Sequence, residues 1–436
     1  MKNLIHLLPF CKKLKKMKKF LLTLVSVLSL SAYGQRTCGT TKKMAEFFAA
    51  NPEAAANRDA LKDFLVNNKS QVNKKAGVIT IPVVVHVIYK NSTQNVSDAQ
   101  IASQLKVLND DFRKLNADFS TVVPSAFQGV AADMELAFCL ATKKPDGSTT
   151  NGIERKQVAS SFNFDNNYYR SSGLVAWDTK KYLNIWVGPF TDTDLLGWAY
   201  QPDAAGQAYD GLCIGYYCFG TIGTAGTDGF PTYNKGRTAT HEIGHYFGLE
   251  HIWGEADYSL SNANKNNCGK SNWDDYCADT PATYYPHFDK PTNVNKYTCV
   301  STTAGAMFMN YMDYVQDSQM AMFTNDQKTI AQNTMAGPRA SLLNSNACSL
   351  LAIGEVEKAN SINLFPNPAV NYISIASPLV EINEVEIFGN DGRLVKRAFI
   401  KNETDKIDVK NLPVGTYYVR TYNNGNFVKS LKFIKK

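Results

Sequence analysis

The sequence is poor in histidine, in net charge beyond its first residues, and in long apolar runs. Only six of the 436 residues are histidine. Any cluster of them therefore stands out. The formal charge of +7 is localised. Seven lysines (Lys2, Lys12, Lys13, Lys15, Lys16, Lys18, Lys19) and no acid occupy the first 19 residues. Setting residues 1–34 aside leaves 39 of the 46 basic side chains against 39 acidic ones. A neutral remainder gives no electrostatic case for a nucleic-acid partner. The longest apolar run, FLLTLVSVLSLSA (20–32), has 13 residues, and a helix that crosses a bilayer needs about 20. No stable membrane span is expected, and no solenoid-type repeat is visible.

What is present at the N-terminus reads as an export signal. Lysines precede the apolar run, and Ala32-Tyr33-Gly34 follows at the spacing a signal peptidase accepts. Met17 opens a complete signal by itself. We expect a signal peptide over 1–34 and a secreted chain, in which disulfides are possible. Cys11 leaves with the signal, so eight of the nine cysteines remain.

Four blocks follow. Residues 35–75 are polar and helical in pattern, and read as a removable segment. Residues 76–345 mix periods. GVITIPVVVHVIY (77–89) is β-branched and apolar, the pattern of a buried strand. Ser97 is placed to cap an amphipathic helix over 97–116, with apolar residues at 101, 105, 108 and 112. MELAFCLA (134–141) and YLNIWVG (182–188) read as strands, GRTATHEIGHYFGLEH as a helix ending near Gly248, and 324–336 as a closing helix. From 252 to 324 the chain is irregular. Strand and helix together give an α/β (α+β) domain, mainly β in its first part and irregular after 252. After a linker at 346–361, residues 362–436 carry short alternating strands with turn signals, a small all-β sandwich. It shows no row of aromatics of the kind that binds sugar.

Three of the six histidines fall in HEIGHYFGLEH (241–251). On a helix, His241 and His245 lie one turn apart on one face. Glu242 is rotated off that face, where it can reach a water on an ion without binding the ion. Gly248 permits a sharp turn, because glycine tolerates positive φ. His251 can then return as a third ligand. Three protein ligands leave a fourth position open, which is the catalytic arrangement of zinc. Glu242 would act as general base on a zinc-bound water. A binding module with an inactive site, or a zinc hydrolase of non-peptide substrates, are the alternative readings.

HExxHxxGxxH followed by a methionine turn is the metzincin signature. NYMDY (310–314), HIWG (251–254), DDYCADTP (274–281) and MFTNDQ (322–327) resemble the pappalysin family, in its ulilysin-like bacterial branch. The resemblance covers most of 76–345. It implies a secreted zinc endopeptidase acting on proteins or peptides and made as a latent zymogen. It implies that His241, His245 and His251 bind zinc and that Glu242 is the base. Met312 would form the apolar floor under the metal, and Tyr314 would stabilise the oxyanion. GWAYQP (197–202) would be the rim strand that pairs with extended substrate. Asp275, Asp279 and Thr280 resemble the family's structural calcium site. Cys268 and Cys299 match a family disulfide, while Gln319 stands where the downstream cysteine of a second would be, which leaves Cys277 unassigned.

In similar proteases a propeptide cysteine is the fourth zinc ligand of the latent form. Cys38 in RTCGT (36–40) fits that role, and the small-residue box of a lipoprotein cysteine is missing before it. Activation would need a cut between 60 and 80, near Lys74-Lys75. Asp317 stands where an acid goes with preference for a basic residue after the scissile bond. Cys213 and Cys218 could pair locally, and Cys139, in a strand, reads as a buried free thiol. LFPNP, the DGR turn and LPVGTYYVR resemble the C-terminal sorting domain of type IX secretion. That resemblance implies passage to the outer-membrane surface or beyond, with the type IX machinery as partner.

Overall fold

A computed structural model describes residues 37–68, 77–255, 264–348, 362–377, 381–402, 405–423 and 426–436. The expected signal peptide, the Lys74-Lys75 cut and most of the expected linker lie outside them. The chain divides into two compact units, one ending at Cys348 and one beginning at 349.

The first unit opens with strand β1 (Thr37–Cys38) and two helices, α1 (Thr40–Ala50) and α2 (Pro52–Asn67). Pro52 at the first position of α2 separates them, where its missing N–H costs nothing. Strand β2 (Ile79–Tyr89) follows, then α3 (Asp98–Phe112). The Ser97 side chain accepts from the Gln100 amide at 3.1 Å and starts α3. Strands β3 (Leu136–Leu140), β4 (Ile153–Gln157), β5 (Leu183–Gly188), β6 (Leu195–Ala199) and β7 (Leu212–Gly215) complete a seven-stranded sheet. Its order is β1-β6-β7-β5-β2-β3, with β4 also on β2.

Strand β2 is paired in parallel with β3, β4 and β5. It is covered on both faces, which is why it reads as a continuous apolar run rather than an alternation. Strand β6 is antiparallel to β7 and takes β1 in parallel on its other edge. Helix α4 (Arg237–Tyr246) and helix α5 (Asn325–Ala336) close the core. Ile101, Leu105, Leu108 and Phe112 of α3 pack there with Ile243 of α4 and Ile330 of α5. Thr324 and Gln327 form a capping box that starts α5.

The cysteines are partly as expected. Cys268 and Cys299 form a disulfide. Cys139 is not a free thiol: it is bonded to Cys348, 209 residues on. Cys213 and Cys218 do not pair with each other; both are buried and outside the two disulfides, as is Cys277. The physical reason is a change of side between them. Cys213 packs with Trp186 and Trp198, whereas Cys218 lies in the main core and donates to the Leu196 carbonyl at 3.3 Å.

The second unit is a two-sheet sandwich. Strands β8 (Asn363–Phe365), β9 (Tyr372–Ala376), β10 (Glu384–Gly389), β11 (Leu394–Phe399), β12 (Ile407–Asp408), β13 (Gly415–Asn423) and β14 (Asn426–Lys435) form sheets β11-β10-β13-β14 and β12-β9-β8. Ile373, Ile375, Val385, Ile387, Val419 and Phe433 make its core. No helix among the described residues is long and apolar enough to cross a membrane.

Candidate metal centre

Helix α4 is buried along its whole length. Its first amides are held from outside. Asp317 Oδ2 accepts from the backbone N–H of Lys235 at 2.8 Å and of Arg237 at 3.3 Å. Asp317, expected as an acid in a substrate pocket, is fully buried and caps this helix. The Arg237 guanidinium donates to both oxygens of Asp118, at 2.8 and 2.7 Å.

One turn apart on α4, the rings of His241 and His245 have centroids 4.8 Å apart. After the helix, Gly248 takes φ +89°, and Leu249 N donates to Gly244 O at 3.0 Å. The reversed chain brings His251 back. Its Nε2 stands 3.1 Å from Nε2 of His245, and its ring stacks on Trp253 at 4.5 Å.

The tautomers follow from the partners. His241 Nδ1 donates to the Tyr311 carbonyl at 2.7 Å, and His245 Nδ1 to the Leu249 carbonyl at 2.8 Å. A carbonyl only accepts, so each Nδ1 carries the proton and each Nε2 turns a lone pair inward. Cys38 completes the group. One donor atom from each of Cys38, His241, His245 and His251 lies within 4.8 Å of the other three. A tetrahedral ion bonded at about 2.0–2.1 Å separates its ligands by about 3.3 Å, so the His245–His251 spacing fits zinc. Three imidazoles and a sulfur are the donors zinc prefers.

Glu242 lies beside this group. Its Oε2 accepts from Thr40 Oγ1 at 3.1 Å and from Cys38 Sγ at 3.4 Å. The Thr40 hydroxyl oxygen in turn accepts from Ala199 N at 2.9 Å, on strand β6. Burial first, then the Glu242 carboxylate, push the Cys38 thiol well above its ordinary range. A divalent cation among the three imidazoles is the charge that reverses such a shift.

Helix α2 is anchored to Glu250, the residue before His251, and to the chain after β6. Arg58 reaches Asp203 at 3.1 Å, Gln201 at 3.1 Å and Glu250 at 3.3 Å, and Lys62 reaches Glu250 at 2.8 Å. Thr40 and Arg58 carry no periodic or motif signal, and sequence reasoning did not single them out. Asp111 was missed as well. It accepts from Thr240 Oγ1 at 2.8 Å and from Tyr311 OH at 2.7 Å, bracing the turn that holds His241. Burial pushes Asp111 up to about 6, against the pull of Arg237.

Met312 sits directly beneath α4. A Cβ added at Gly244 would stand 2.4 Å from Met312 Sδ, so a side chain here would require Met312 to shift. The Tyr314 ring is buried 5.0 Å from that of His251 and 5.8 Å from that of His241. Thr280 Oγ1 is 2.8 Å from both oxygens of Asp275, and burial raises the Asp275 carboxyl well above its ordinary range. Asp279 Oδ1 is buried with no hydrogen-bond partner among the described residues. A buried carboxylate oxygen without a donor fits a hard cation such as calcium.

Comparisons with known proteins agree on the class. A family profile described as pregnancy-associated plasma protein-A matches residues 170–336, and one described as a secretion system C-terminal sorting domain matches 363–436. A structure of a Tannerella forsythia promirolysin variant is 36% identical, with a TM-score of 0.57, and the match covers 71% of this chain and 97% of that one. Mature mirolysin of Tannerella forsythia in complex with a cleaved peptide is 41% identical, with a TM-score of 0.51, covering 62% and 96%. An extracellular metalloprotease of Arthroderma benhamiae is 26% identical over 324 residues, 72% of this chain and 96% of that protein.

Proposed function

The chain belongs to the pappalysin family of metzincin zinc metalloproteases, and from that premise we propose how its own residues divide the work. It is a secreted metalloendopeptidase made as a zymogen. We assign 1–34 to the signal, 35–75 to the prosegment, 76–345 to the catalytic domain, 346–361 to the linker and 362–436 to the sorting domain. The larger share of the chain matched by the proform than by the mature form supports a prosegment ahead of the catalytic domain.

In this reading His241, His245 and His251 hold zinc through Nε2, with their Nδ1 protons fixing the rings. The observation that carries it is the convergence of these three donors with Cys38. Zinc, when bound, supplies a Lewis acid that polarises a peptide carbonyl and acidifies a water. Glu242 accepts the proton of the attacking water and delivers it to the leaving amine. Tyr314 donates its hydroxyl to the developing oxyanion. Extended substrate adds to the free edge of β6, the edge that β1 now occupies.

Latency follows from the same contacts. Cys38 takes the fourth ligand position, while Thr40 engages both the base and the Ala199 amide of β6. Removing residues 37–68 frees all three at once. Asp275, Asp279 and Thr280 form the calcium site, and Asp317 serves as the cap that holds α4. Proteins or peptides are the substrates, and the sorting domain engages the type IX machinery.

The test is hydrolysis of a peptide library by the full chain after prosegment removal. Chelation should abolish cleavage and added zinc restore it. Glu242→Ala should keep its zinc and lose about a thousandfold in rate. Absence of any chelator-sensitive cleavage would sink the reading.

A further inference from the structure

Two buried histidines lie outside the metal cluster among the described residues. His86 sits in the sheet between Glu154 and Asn184, away from the turn that carries Tyr314. His287 reaches that turn. We infer that His287 is a positioning residue for peptide hydrolysis: as an imidazolium clamped to Asp313, it fixes the backbone that presents Tyr314. The inference rests on the role proposed for Tyr314.

The protonation state is set by geometry. His287 Nε2 is 2.8 Å from the Lys296 carbonyl, which only accepts. Nδ1 is 2.7 Å from Asp313 Oδ2. Asp313 Oδ1 accepts two backbone amides, His287 N at 2.8 Å and Tyr314 N at 2.7 Å. Both ring nitrogens thus face acceptors, and the ring carries two protons. Both partners are buried. Breaking such a pair leaves an uncompensated charge.

The clamp touches Tyr314 from two directions. Asp313 holds its amide, and Phe288, next to His287, places its ring 6.0 Å from the Tyr314 ring. The charged and titratable groups facing the His287 ring are Asp313 from the turn, and Lys296 and Tyr297 from the loop opposite. Loss of one ring proton puts a lone pair against Oδ2 or against the Lys296 carbonyl. Either way one contact becomes repulsive, and the turn loses a support beside the proposed oxyanion donor.

Burial opposes the charge on His287, but Asp313 outweighs it and holds the pKa above the ordinary value. The sign follows. The clamp is complete below the ordinary histidine pKa of about 6.5 and is lost as pH rises through the raised value.

The experiment is a double-mutant cycle on the activated full chain, with zinc content checked in each variant. Tyr314→Phe should lower kcat about 100-fold. His287→Gln should lower kcat about tenfold at low pH with KM within about twofold, and abolish the share of the alkaline fall of kcat that loss of the His287 proton produces. The double variant should be no slower than Tyr314→Phe by more than about twofold. Asp313→Asn keeps an acceptor for both amides but removes the charge that holds the second His287 proton, so it should lower kcat near neutral pH and move the alkaline fall to lower pH. It stands in if His287→Gln fails to bind zinc. Multiplicative losses, or an unmoved alkaline limb, overturn the clamp while leaving Tyr314 catalytic. A Tyr314→Phe variant with full activity overturns both.

Discussion

Helix α4 positions His241, Glu242 and His245 by its own periodicity, whereas the turn that carries Met312 and Tyr314 is held by separate local links. Between 252 and 324 the described residues contain no α-helix and no strand, only three-residue 3-10 turns and isolated bridges such as Thr283↔Thr298 and Asn310↔Met322. Order there comes from the Cys268–Cys299 disulfide, the His287–Asp313 pair and the Asn310–Gln327 side-chain bonds at 2.9 and 3.1 Å. A helix loses order cooperatively. A turn held by discrete bonds loses it one bond at a time, so the two halves of the proposed centre should fail differently.

The disulfide gives the largest expected contrast. Changing Cys268 and Cys299 together to serine opens a loop of sequence separation 31 and should cost about 3–4 kcal/mol in the chain-entropy account. Hydrogen exchange should speed up over 264–299 and leave α4 protected. Equal loss of protection in both would mean that the halves open as one unit.

Gly244→Ala tests where the halves meet. The new Cβ would stand 2.4 Å from Met312 Sδ, an overpacking of about 1–3 kcal/mol. It should lower both the unfolding temperature and the zinc affinity; an unchanged variant would show that the methionine yields freely. Thr324→Ala is the smallest. It removes one arm of the α5 capping box and should cost about 1 kcal/mol in urea unfolding, with zinc content and activity at room temperature intact.

The same contrast explains what could be read beforehand. The His241–His245 spacing, the Ser97 cap, the apolar β2 run and the alternating C-terminal strands are local patterns, and each sits where its pattern put it. HExxHxxGxxH is local as well, which made the three histidines legible without a structure. Tyr314 and Met312 have no periodic signal, and only likeness to a family pointed to them. Cys139 was read as a free thiol because nothing in its strand points to a partner 209 residues away. Cys213 and Cys218 are close in sequence, but the chain turns their side chains into different clusters. The amides that Asp317 accepts from lie 82 and 80 positions back, so nothing local in the sequence points to the helix it caps. Thr40 is one threonine among several, and its meaning lies in two bonds made to residues more than 150 positions on.

The Cys139–Cys348 bond has a mechanical side. The chain leaves the first unit just beyond Cys348, towards the sorting domain. Tension applied from that side would pass from Cys348 straight into β3 through a covalent link. The polypeptide between 139 and 348 holds His241, Glu242, His245, His251 and Tyr314, and it lies off that load path. The bond acts as a shunt: the leash can be pulled without drawing on the loop that holds the blade.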